Sequence, residues 1–403
     1  MSSEPFDDRP ESVLDRALDR LIARPEPTDQ RPPGAGLGVR APGLNTVRAA
    51  GFRRVHGLGE SADDTPLMTD STVHDVASAT KVAVTTALMM RLVSAGEVSL
   101  DASLRRYLPS FAGGRKDEVS LRDLLLHRAG LWEWWPLYMV ARNRDEAFAV
   151  LEALPLRYEP GVARRYSDLG FIALGRVVEC VVGAPLSIAA QSLLFDPLGM
   201  SSTRYAEAAP ILGDVAASSL GDIAEEQMIA TVQPYPVPFW VCDFSGWRRE
   251  VVCGEANNGN TFHAMGGVSG HAGVFSTVRD LLTFVFALAN PDENETMWRP
   301  AVVDEFFREG PDPGQALGFR RQNVEVNSIA TPVLWHPGYT GCAIGVLPEY
   351  RAGVALATNR LHVKRTPVPT VSLWCEALGA AAKTLALGRE ASRSATACVY
   401  PVV

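Results

Sequence analysis

Apolar residues at Val13, Leu14, Leu18 and Leu21 recur at close to helical spacing, with i,i+4 charges between them. The pattern predicts an amphipathic helix over 11–23, followed by a proline-rich joint at Pro25, Pro27, Pro32 and Pro33. Residues 36–55 change period and read as two short strands around an Ala-Pro-Gly turn. From 76 the text turns helical again: VASATKVAVTTALMMRLVSAG carries a long apolar face and stops at Gly96, a residue suited to a helix C-terminus. Further helices are predicted at 120–127, 145–153, 167–181, 185–194, 277–289 and 299–308. The stretch 205–265, rich in Gly, Pro and aromatics, reads as a long irregular insertion on the surface or over a pocket. Strand patterns return at 318–326, 331–338, 341–349 and 352–359, before a last helix at 370–386.

Strands at both ends with helices between predict an α/β (α+β) fold: a sheet built from both chain ends, flanked by helices, with an inserted mainly helical region. The expected division is 1–33 as helix and proline-rich lead-in, 34–80 with 266–390 as the sheet part, 81–265 as the helical part, and 391–403 as a tail.

Composition narrows the class. A chain of 403 residues with 47% hydrophobic and 21% charged residues can bury a sizeable core. The net charge of −8 gives no general electrostatic reason to bind nucleic acid or anionic membrane. The longest apolar run, LLTFVFALA at 281–289, falls short of the ~18 residues that a span needs. The polar, acidic start carries no secretory pattern, so a cytoplasmic location is expected. Six cysteines without a C-x-x-C pair are expected to be reduced, mostly buried thiols.

Candidate chemistry starts at Ser78-Ala79-Thr80-Lys81. Residues i and i+3 on a helix share a face, so the Lys81 amine can reach the Ser78 hydroxyl. An amine held neutral by partial burial could take the hydroxyl proton, and a helix N-terminus offers N–H groups to an oxyanion. The bland reading is a serine cap beside a solvated lysine. Tyr166-Ser167-Asp168 precedes an apolar helix, and His336-Pro337-Gly338 ends a strand before Tyr339-Thr340-Gly341. Trp132, Trp134 and Trp135 would make a flat apolar wall in a loop, or else close a core. Ser269 beside His271 reads as structural, His127 as a helix-end histidine, and the seven histidines show no metal-ligand spacing. No metal or cofactor is implied.

The order Ser-x-x-Lys, Tyr-x-Asp, His-x-Gly resembles the serine β-lactamase and penicillin-binding-protein superfamily, closest to its class C β-lactamase and esterase branch. The stretches 66–81, 119–131, 158–179, 193–205, 266–281 and 335–341 look like that family's landmarks in order, so the resemblance covers about 35–385. It implies the β-lactamase/transpeptidase-like fold, with Ser78 as acylated nucleophile, Lys81 as its base and Tyr166 as proton shuttle. It also implies an oxyanion hole from the Ser78 and Tyr339 N–H groups. His336 would hydrogen-bond Tyr166 or tune the local charge, while Gly338 and Asp168 would line the substrate site. Two departures stand out: Pro337 replaces a hydroxyl residue, and Asp168 replaces an Asn that donates to substrate. Asp168 would pair with Lys81 or cap the next helix. The implied activity is acyl transfer from a small-molecule ester or amide to water, as an esterase or amidase, or to an amine or alcohol, as a biosynthetic transacylase. A D-amino-acid peptidase or β-lactamase is the rival, and a non-catalytic scaffold the remote alternative.

Overall fold

The computed structural model describes residues 9–22, 31–55, 65–364 and 366–397, with side chains up to Gly388 in the last stretch. Pro25 and Pro27 of the predicted joint, and Cys398, lie outside the described residues.

A six-stranded antiparallel sheet forms the frame. Its strands are β1 Gly34–Ala41, β2 Leu44–Gly51, β3 Arg320–Val326, β4 Ile329–Pro337, β5 Ala343–Leu347 and β6 Ala352–Thr358, in the spatial order β2-β1-β6-β5-β4-β3. The two ends of the chain meet where β1 pairs with β6, Leu37 opposite Leu356. Alternation along β1 decides its two faces. Ala35, Leu37 and Val39 join a core with α1 (Pro10–Leu21) and the C-terminal helix Thr370–Ala397. The other face is bare at Gly38, where a Cβ would lie 2.4 Å from Leu282 Cδ1. A side chain there would push away Val278–Ala289, the helix that covers this face.

The predicted helix from 76 is wound in three styles. A tight turn, Ala77–Ala79, leads into a wide i→i+5 segment, Lys81–Thr86, and then into α2, Ala87–Ala95, ending at Gly96. α2 and α3, Asp168–Val182, belong to the larger core cluster, which also takes in Leu121–Leu125 and Pro300–Phe307. The C-terminal helix runs to Ala397, beyond the predicted 386, because the backbone continues through polar sequence after the apolar pattern stops.

Two expectations change. The stretch 205–265 holds a helix, Ile223–Thr231, and a small sheet of Ala217–Leu220 with Val251–Cys253. These strands are too short to show a period. The cysteines are not mostly buried: Cys180, Cys242 and Cys375 are exposed, Cys253 is intermediate and Cys342 is buried. Among the described residues, no single helix is long and apolar enough to cross a membrane.

Candidate active site

The tight turn at Ala77–Ala79 and the wide winding behind it bring Ser78 and Lys81 together, with Lys81 Nζ 3.0 Å from Ser78 Oγ. Lys81 is wholly buried. It also donates to Asp168 Oδ1 at 2.7 Å and to the His271 carbonyl at 3.3 Å, and the Tyr166 side chain is a further hydrogen-bond partner. Burial pulls the Lys81 ammonium down, but Asp168 and Tyr166 outweigh it and hold the group above its ordinary value. Burial pushes Asp168 up, and Lys81 and His271 bring it below the usual carboxylate range. The Asp168 contact at 2.7 Å therefore favours the ammonium form of Lys81.

Ser167 caps α3: its Oγ accepts from the Gly170 N–H at 3.1 Å. That assignment removes the cap role for Asp168 and leaves its carboxylate for Lys81. Tyr166 precedes the cap, its ring centroid 4.8 Å from Lys81 Nζ. His127, read from the sequence as a helix-end residue, lies against the same ring at 4.6 Å between centroids. Its Nδ1 accepts from the Ser167 N–H, and burial with the charges of Lys81, His336, Arg164 and Arg320 holds the ring well below its usual range. No local pattern marks His127, because its neighbour Tyr166 is far along the chain.

β4 also brings His336 beside Tyr166, with ring centroids 6.0 Å apart. Nδ1 donates to the Pro337 carbonyl at 2.8 Å, which leaves Nε2 buried and without a hydrogen-bond partner. Burial, then the charges of Lys81 and Arg320, keep this imidazole neutral. Gly338 is required sterically, since a Cβ there would lie 2.2 Å from the Val76 carbonyl oxygen. This contact seats the end of β4 beside the Ser78 turn and gives Gly338 a packing role. Tyr339 follows, half exposed, and its N–H takes no part in the surrounding turn hydrogen bonds.

The three tryptophans do not form one flat wall. Trp134 is buried at 3% exposure among Ile229, Val237 and Tyr235 of the insertion, so it closes a core and offers substrate no face. Trp132 and Trp135 meet edge-on at 4.7 Å, and the Trp132 Nε1–H donates to the Pro155 carbonyl. The Glu133 carbonyl between them accepts from the Asp168 N–H at 2.9 Å, which ties this loop to the site. Tyr235 brings the insertion to the same edge: burial, Asp168 and Tyr166 push its hydroxyl up to about 12.

Ser269 and His271 form the floor. Asn258 Oδ1 already accepts from the Thr261 N–H, so His271 Nε2 donates to it and Nδ1 accepts from Ser269. Both residues are buried, and His271 reaches the site through its carbonyl. Arg164 and Arg320 flank Tyr166, Arg320 with its guanidinium 6.0 Å from the ring centroid. Arg164 Nε donates to Gln315 Oε1 and feels the charge of Asp312 through space, and Arg320 Nε is buried without a hydrogen-bond partner. Sequence reasoning missed both arginines, Tyr235 and His127. No three His, Cys, Asp or Glu side chains among the described residues gather as metal ligands.

The Beta-lactamase family model matches residues 14–371. The N-acetylmuramyl-L-alanine amidase of Bacillus subtilis (strain 168) is 29% identical over 359 residues, 83% of this chain and 78% of that protein. A putative D-alanyl-D-alanine carboxypeptidase of Escherichia coli (strain K12) is 25% identical over 342 residues, 77% of this chain and 76% of its own. The crystal structure of a class C beta-lactamase from Rhodobacter sphaeroides superposes with a TM-score of 0.62 at 20% identity, covering 93% of this chain and 98% of the other, a likeness of fold. A lysine-paired serine at the end of an antiparallel sheet, and a family match across most of the chain, lead to one conclusion: the chain belongs to the beta-lactamase family.

Proposed function

We propose that the protein is a serine amidase or esterase that hydrolyses a small, carboxylate-bearing amide or ester through an acyl-Ser78 intermediate. The observation that carries this reading is the contact of Lys81 Nζ with Ser78 Oγ at 3.0 Å, made by an ammonium that also faces the Tyr166 ring.

Because Lys81 stays charged, the proton has to travel elsewhere. Ser78 Oγ attacks the carbonyl carbon while its proton passes to the Tyr166 oxygen, which hands its own proton on towards the leaving group, with Lys81 as the fixed counter-charge. The C=O electron pair collects on oxygen, facing the Ser78 and Tyr339 N–H groups. Collapse of the adduct breaks the bond to the leaving amine or alcohol, which takes the proton from Tyr166. Water then attacks acyl-Ser78, gives a proton to Tyr166, and Ser78 leaves with it. His336, uncharged, adds shape and an acceptor atom beside Tyr166 and leaves the positive field to Lys81, Arg164 and Arg320.

Arg320, beside the Tyr166 ring with its Nε buried and unpartnered, supports an anionic substrate. A charge-assisted hydrogen bond is worth about 1.5–3 kcal/mol, so Arg320→Ala is expected to raise KM for an N-acyl dipeptide by about 10- to 100-fold. The same change leaves KM for the dipeptide's C-terminal amide almost unaltered. Equal effects on both peptides would remove the arginine from substrate recognition. The cytoplasmic location belongs to this proposal too, and cell fractionation checks it.

The decisive experiment is covalent trapping. A fluorophosphonate probe should modify Ser78, located by peptide mass mapping, and Ser78→Ala should lose both adduct and turnover. An adduct at Ser269 would overturn the assignment. Turnover of a methyl ester with added amines then separates hydrolysis from acyl transfer, since a product carrying the amine would identify a transacylase.

A further inference from the structure

A buried carboxylate that the reaction does not use stands three residues before the nucleophile. Asp75 is 6% exposed, and its two oxygens face two different backbone donors. Oδ1 accepts from the Ala77 N–H at 2.7 Å, and Oδ2 accepts from the Asn257 N–H at 2.7 Å. Ala77 has φ +45°, a left-handed backbone that an alanine rarely adopts, directly before Ser78. Asn257 belongs to the returning arm of the insertion. Its carbonyl and that of Ala256 are gripped by Arg248, which pairs with the buried Asp222 at 2.7 Å. A continuous chain of contacts thus runs from the insertion through Asp75 to the turn that carries the nucleophile.

We propose that Asp75 is a positioning residue whose ionised carboxylate holds Ala77 in its strained conformation, and so aims Ser78, while Asn257 of the insertion holds the carboxylate. The proposal rests on Ser78 being the nucleophile. The chemistry demands a carboxylate, because both partners are N–H donors. A carboxamide satisfies one of them and turns its own N–H₂ towards the other.

The surroundings define the pH response. Arg248 is the cation that favours the ionised form, and the Thr340 hydroxyl and Cys342 thiol donate to the Asp75 carbonyl. The buried Cys342 thiol is pushed up to about 12 and stays neutral, chiefly through burial. His74, next along the chain, is held near 4 by burial and is uncharged. Burial pushes Asp75 itself up to about 6. Below that pH a proton on the carboxyl takes away one of the two acceptors.

Asp75→Asn is expected to lower kcat by about 10- to 100-fold with KM little changed, a loss matching one or two hydrogen-bonded restraints. Its pH profile should lose the acid limb near 6. Ala77→Gly, which adopts a positive φ without strain, should recover most of the lost kcat in the Asp75→Asn background. Wild-type kcat in Asp75→Asn, or no recovery in the double variant, would overturn the proposal. Should Asp75→Asn fail to fold, fluorophosphonate labelling of the wild type between about pH 5 and 8 decides, and a rate flat across the acid side refutes it. Mapping the adduct keeps the two readings apart: no adduct at Ser78 in the wild type sinks the functional assignment, whereas an adduct at Ser78 with Asp75→Asn unimpaired sinks only the role of Asp75.

Discussion

Lys81→Met lowers kcat by about three orders of magnitude, read as the rate of fluorophosphonate labelling at Ser78 and as turnover of an activated ester. Methionine keeps the length and apolar body of the side chain, so the pocket around it stays filled. What disappears is the donor 3.0 Å from Ser78 Oγ and the positive charge below the Tyr166 ring. An electrostatic donor removed from a closed site costs about 10²–10³ in rate, and loss of the counter-charge to the proton carrier adds to it. Lys81→Arg is expected to recover little, since a planar guanidinium cannot reach Ser78, Asp168 and the His271 carbonyl from one point. If Lys81→Met kept more than about a tenth of the wild-type rate, the ammonium would have no part in the chemical step.

How far this site could be seen beforehand follows from distance along the chain. Ser78 and Lys81 lie a turn apart, and local winding alone unites them. The sheet was legible for a similar reason: the alternation in 36–55 and the four strand patterns after 318 each report a local period, and only antiparallel pairing closes them into one sheet. Asp168 is different. The sequence allowed it to pair with Lys81 or to cap α3, and only the fold shows that Ser167 takes the cap. With that choice went the charge of Lys81, because a lysine beside a carboxylate and the same lysine alone in a core have opposite protonation states. His127, Arg164 and Arg320 converge on Tyr166 from separate segments, and Trp134 is claimed by residues of an insertion whose short strands carry no readable period.

Asp168→Asn tests the buried pair, and it restores the carboxamide that the family pattern has at this position. Lys81 would then sit wholly buried with no carboxylate at 2.7 Å. Breaking one side of a buried ion pair costs about 3–5 kcal/mol; asparagine keeps one hydrogen bond, so the loss of stability in denaturant unfolding should fall at the lower end. The pH dependence has a definite sign. The Asp168 carboxyl is held below its ordinary 3.8, so its stabilisation is present above that value and is lost as pH falls through the lower folded value. The Lys81 ammonium is held above its ordinary 10.5, so its share is present below that value and is lost as pH rises through the folded one. The difference in stability between wild type and Asp168→Asn should therefore shrink as pH falls below about 4, and shrink again on the alkaline side as the variant's Lys81 sheds its proton. Activity should change in kind as well. Once the carboxylate is gone, burial pulls the Lys81 ammonium down, and the neutral amine becomes a base for Ser78. The variant's kcat should then climb with pH along a new limb that disappears in the Lys81→Met background. A variant as stable as the wild type, with an unshifted pH profile, would mean that the pair does not set the charge of Lys81.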